Sequence, residues 1–127
     1  MCTVTYIPTG KNKFIFTSNR DEAPKRSATG MIEKKIDGKV LLFPQDPLAN
    51  GTWISISNKN QLVCILNGAF IKHKHRPPYR LSRGIMALDF FSYPTANDFF
   101  EKFEFEGIEP FTMVIFDDGG REAEVAR

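Results

Sequence analysis

The run Gln61-Leu-Val-Cys-Ile-Leu66 puts apolar side chains on both faces of one extended segment. Leu62, Cys64 and Leu66 share one face; Val63 and Ile65 share the other. A strand of this kind needs cover on both sides. That excludes a lone sheet with one wet face and calls for a layered arrangement. The bulky material for such layers is present, because 12 of the 127 residues are Phe. An apolar share of 42% and a charged share of 25% belong to a folded globular chain, not a disordered one. The length suits one domain, here residues 1–120, with 121–127 as a polar tail.

The remaining elements follow from local pattern. Residues 2–7 and 13–18 are rich in β-branched and aromatic side chains around the turn cluster Pro8-Thr-Gly-Lys-Asn12. They predict a hairpin that returns residue 2 to the neighbourhood of residues 18–21. Asp37-Gly38 between 31–35 and 39–43 predicts a second hairpin. Residues 52–57 and 61–66 form a third across Asn58-Lys-Asn60. Leu81, Ile85 and Leu88 give helical spacing to residues 81–91, against a cost of about 1 kcal/mol for Gly84. Thr95 and Asp98 mark the start of a helix over 96–104, with Phe99, Phe100 and Phe103 as its apolar stripe. A last strand spans 111–116. The class is α+β with antiparallel sheets, and the two helices are expected on one face. Two helices are too little cover for two sheets, so exposed apolar sheet surface and self-association into a homo-oligomer are expected.

A net charge of +2 is too mild to argue for nucleic acid or an anionic membrane. The chain holds no apolar run long enough for a membrane span, and residues 1–13 hold no secretory h-region. Cys2 and Cys64 make neither a disulfide framework nor a metal spacing, which points to a reducing, cytoplasmic setting. Phosphate loops, zinc patterns and the G-x-S-x-G elbow are missing from the sequence. No metal is expected, and Trp53 is read as core.

Four segments carry candidate chemistry. Removal of Met1 would leave the thiol of Cys2 beside a free α-amine, whose pKa of about 7.7–8.0 lets it take the thiol proton. Cys2 is equally a small residue that opens a strand. Asn19-Arg20-Asp21-Glu22 lies where the first hairpin returns beside Cys2. There Arg20 would favour a thiolate and orient a substrate oxygen, and Asp21 would hold the amine. A solvated charged turn has the same composition. Asn67 ends a buried strand and suits an oxyanion donor, although Asn67-Gly68 is also a common turn pair. Lys72-His-Lys-His-Arg76, with Arg80 and Arg83, is a basic loop that would receive an anionic substrate group or stand solvated. His73 and His75 share a face of an extended segment, and two His alone are a weak metal signal.

Met1-Cys2-Thr-Val, Ser18-Asn-Arg-Asp-Glu22, Gly51-Thr-Trp-Ile-Ser-Ile-Ser57, Leu66-Asn67 and Ser82-Arg-Gly84 occur in the order seen in NRDE proteins, the transport-and-Golgi-organisation type. The chain resembles that family over most of its length, to about residue 117. The family is similar to N-terminal nucleophile hydrolases of the choloylglycine hydrolase kind. That resemblance implies an αββα sandwich of antiparallel sheets, incomplete here, because family members are usually longer and this chain resembles their N-terminal half. It implies Cys2 as nucleophile, Arg20 and Asp21 beside it, and Asn67 in the oxyanion hole. Asn19 and Arg83 are the substrate-binding candidates. The implied reaction is hydrolysis of a linear amide or related acyl group, a C–N bond other than a peptide bond, on a small acyl or amphipathic molecule and with no cofactor. The alternatives are a non-catalytic carrier of a hydrophobic cofactor or lipid such as haem, and an inactive fragment.

Overall fold

The computed structural model describes residues 2–68 and 71–117, and the backbone of 122–126. Strands β1 (Thr3–Gly10) and β2 (Lys13–Asn19) pair as an antiparallel hairpin that forms its own sheet. Strands β3 (Met31–Ile36), β4 (Lys39–Pro44), β5 (Ile54–Ser57), β6 (Leu62–Asn67), β7 (Phe111–Asp117) and β8 (Glu122–Ala126) form a six-stranded antiparallel sheet in sequence order. Between β6 and β7 lie α1 (Arg83–Asp89), a single 3-10 turn (Phe90–Ser92) and α2 (Ala96–Lys102). The fold is α+β.

Register decides which side chains meet. Val63 opposes Ile115 and Ile65 opposes Met113, so all four point to one face. There they join Leu41 and Phe43 from β4 and pack beneath Met86, Ala87, Leu88, Phe90, Phe91 and Phe99 of the helical segment. The opposite face of β6 and β7 presents Cys64 and Phe116. Phe14, Phe16 and Tyr6 of the hairpin close on Phe116 with ring centroids 4.7, 5.4 and 5.3 Å away. The two-sided apolar strand is therefore β6, covered by helices on one side and by the hairpin on the other. Helix layer, six-stranded sheet and two-stranded sheet are three of the expected four layers. Among the described residues no α-helix covers the outer face of the hairpin, where Ile7 and Ile15 oppose each other half-exposed.

Asp37 and Gly38, with φ of 46° and 77°, make the tight turn that the pair predicts. Ser82 and Thr95 cap the helices by accepting from the backbone N–H of Ile85 and Asp98. Three expectations need correction. The first helix is shorter than 81–91, because Ser82 is its cap and a 3-10 turn takes over at Phe90. The third hairpin's first strand starts at Ile54, not residue 52, because the Thr52 N–H leaves the sheet to donate to the Gly84 carbonyl (3.2 Å). Residues 122–126, read as part of an unpartnered tail, are edge strand β8, running from Glu122 opposite Asp117 to Ala126 opposite Met113.

Candidate functional site

Cys2 directly precedes β1, and Arg20 directly follows β2. Because Thr3 opposes Asn19, the hairpin brings both flanking residues to one end. That end forms a wall of a cleft of about 410 Å³. Its other walls come from the loop before β5, the end of β6 and the approach to α1. Cys2, Arg20, Asn67 and Arg83 all line it. Asn19 and Asp21 do not: Asn19 is exposed on the ladder with Thr3, and Asp21 is exposed beyond it. The Asp21 carboxyl is nonetheless held below its ordinary value.

Arg20 is fixed from three directions. Its guanidinium lies over Trp53, 4.4 Å from the ring centroid. Nη1 donates to the Arg26 carbonyl at 2.9 Å, and Nη2 donates to Asp46. Trp53, read as core, is half-buried and lines the cleft. Asp46 is 3% exposed and is the acid that partners Arg20. Its Oδ2 also accepts from Arg26 at 2.6 Å, while Oδ1 accepts the N–H groups of Leu48 (2.9 Å) and Ala49 (3.1 Å). Burial pushes this carboxyl up, but those two N–H donors and the two guanidiniums outweigh it and hold it at about 2. Sequence reasoning missed Asp46. The only signal was Asp46-Pro47 in a turn-rich loop, which marks an Asx turn and not an ion pair.

Glu109, also missed, stands on the same cleft. His73 Nε2 and His75 Nδ1 meet its Oε1 at 2.8 and 3.2 Å, so the shared face of the extended basic loop is spent on one carboxylate. Arg83 Nη2 reaches Oε2 at 3.1 Å, and Nη1 donates to the Pro110 carbonyl at 2.8 Å. Burial raises the Glu109 carboxyl; hydrogen bonds from both imidazoles and the Arg83 charge bring it below its ordinary value. Among the described residues no group of three or more His, Cys, Asp or Glu is placed to hold a metal ion.

The two cysteines differ sharply. Cys64 is fully buried, and its Sγ donates to Ser18 Oγ at 3.5 Å. Burial pushes its thiol up to about 11; the Ser18 hydrogen bond opposes this and the charge of Cys2 adds to it. Cys2 is half-buried and opens on the cleft.

Across residues 1–125 the chain matches the family model described as Transport and Golgi organisation 2. No curated protein and no solved structure matches it.

Proposed function

The chain belongs to the Transport and Golgi organisation 2 family, and from that membership together with the cleft we propose a thiol hydrolase that acts on an amide or related acyl group. The observation that carries the reading is the placement of Cys2, Arg20 and Asn67 on one cleft. In this scheme the Cys2 thiolate attacks the acyl carbon, and the α-amine exposed by loss of Met1 takes the thiol proton. Asn67 donates to the oxyanion, and the same amine returns the proton to the leaving group. Water then releases the acyl group from Cys2. Arg20, pinned by Asp46 and Trp53, supplies a fixed positive field at the cleft wall. Asp21 holds the amine.

The test pairs intact mass with turnover. Protein that has lost Met1 is expected to form an acyl adduct on Cys2 with an activated acyl amide, and Cys2→Ser is expected to abolish turnover. A processed protein that never carries the adduct would reject the hydrolase. A second reading, transport of a hydrophobic ligand, draws on the wall of Trp53, Ile65, Tyr79 and Leu81 in the same cleft. Lipid or haem binding that survives Cys2→Ala in a protein without turnover would favour it.

A further inference from the structure

Among the described residues, the charged side chains that line the cleft are matched one against another. The cations are Arg20, Arg26 and Arg83; the carboxylates are Glu22, Asp46 and Glu109. Each cation stands in an ion pair with one of those carboxylates: Arg20 with Asp46, Arg26 with Asp46 and Glu22, Arg83 with Glu109. We propose that the cleft admits an uncharged segment of its ligand, an apolar chain ending in a neutral amide or ester, and rejects carboxylates and ammonium groups. This rests on reading the cleft as a ligand site, and it names the chemical class that the site takes.

Arg20 looks like the natural receptor for a substrate carboxylate, but it is not available as one. A carboxylate reaching it would have to displace Asp46, and Asp46 cannot turn away. The N–H groups of Leu48 and Ala49 hold its Oδ1, and Arg26 holds its Oδ2. The Arg20 and Asp46 side chains are 12% and 5% exposed, so separating them strands a buried charge on each side. An entering ammonium meets the mirror problem, since Glu109 already takes His73, His75 and Arg83. A neutral amide disturbs no pair. The Asn67 amide both donates and accepts, and Trp53, Ile65, Tyr79 and Leu81 give an apolar chain a wall.

Trp53 is the single tryptophan of the chain and lies in the cleft, so its fluorescence reports occupancy. Octanamide, octanoate and octylammonium at neutral pH form a matched probe set. Octanamide is expected to perturb Trp53 at a concentration at least about tenfold lower than either ion. Asp46→Asn should bring octanoate level with octanamide or ahead of it, by freeing one positive charge. Should that variant fail to fold, Glu22→Gln and Glu109→Gln each remove a negative charge at a less buried position and should move the ranking the same way. Octanoate binding the native protein as well as octanamide would overturn the proposal. An unchanged ranking in the folded charge variants, or no response to any of the three probes, would also overturn it. The panel is paired with an acyl-transfer assay on native protein that has lost Met1, which separates the two readings. A neutral preference without any acyl transfer leaves this inference standing and removes the hydrolase. Turnover with a preference for octanoate does the reverse.

Discussion

A side-chain carbon on Gly84 would stand 2.9 Å from both the backbone nitrogen and the carbonyl oxygen of Thr52. The first turn of α1 therefore packs backbone to backbone against the strand entry that carries Trp53. In an ordinary exposed helix, Gly→Ala stabilises by about 0.4–1 kcal/mol. Here the sign is expected to reverse. Gly84→Ala should destabilise by about 1–3 kcal/mol, because the contacting atoms are backbone and cannot swing aside. Urea denaturation of the variant checks it, and a stabilised variant would refute the close approach.

Asp46 makes stability depend on acid. Its folded value of about 2 lies below the ordinary 3.8. A depressed carboxylate contributes stability that is fully present above about pH 4 and is lost as pH falls through 2. The contribution is about 2 kcal/mol. Unfolding free energy measured from pH 5 to pH 2 should show that decline in the native protein and a flatter limb in Asp46→Asn. At neutral pH the variant should be weaker by about 3 kcal/mol or more, since two guanidiniums lose their shared partner.

Thiol labelling should separate the cysteines. With its thiol pushed up to about 11, Cys64 carries a thiolate fraction below about 0.1% near pH 7.5, and no solvent path reaches it. Iodoacetamide is expected to add one equivalent quickly, at Cys2, and the second only on the timescale of unfolding. Peptide mass mapping locates the adducts. Equal rates for the two sites in folded protein would contradict the placement of Cys64 under the hairpin.

The outward pair Ile7 and Ile15, 53% and 55% exposed, should govern surface stickiness. Replacing both with Thr keeps a β-branched side chain on each strand. The double variant is expected to bind less of a hydrophobic dye and to self-associate less in sedimentation, with a stability change within about 1 kcal/mol. Unchanged dye binding would shift attention to Met31, Ile32, Leu42 and Ile56, exposed apolar residues of the six-stranded sheet.

Much of the fold was legible because its signals are local. The two-sided run at β6 demanded layers, Asp37-Gly38 set a turn, and Thr95 set a cap. The hairpin prediction placed Cys2 near Arg20. Asp46 and Glu109 were not legible, because an acid's partner lies far along the chain. Asp46 is 26 residues from Arg20, and Glu109 is 36 from His73. The need for Gly84 was hidden for the same reason. Its local effect is unfavourable, and the contact that requires it comes from Thr52. The strand at 122–126 escaped notice because the segment is short, holds small and charged residues, and pairs with β7 through its backbone.

Among the described residues, no backbone ladder joins the hairpin to the six-stranded sheet. The aromatic stack on Phe116, the Ser18–Cys64 hydrogen bond and, at the hairpin's end, Arg20 on Asp46 and Trp53 join them through side chains. Arg20, Cys2 and their wall thus ride on a piece attached by rings and a buried ion pair and not by strand pairing. Opening of such a unit has to break both the ring stack and the buried Arg20–Asp46 pair, while the ladder of the large sheet stays intact. The cleft then exists only while the two-stranded piece is seated. Loosening Phe116, next to the last residue of β7, would remove one fastening of the site's wall without touching the ladder of the large sheet.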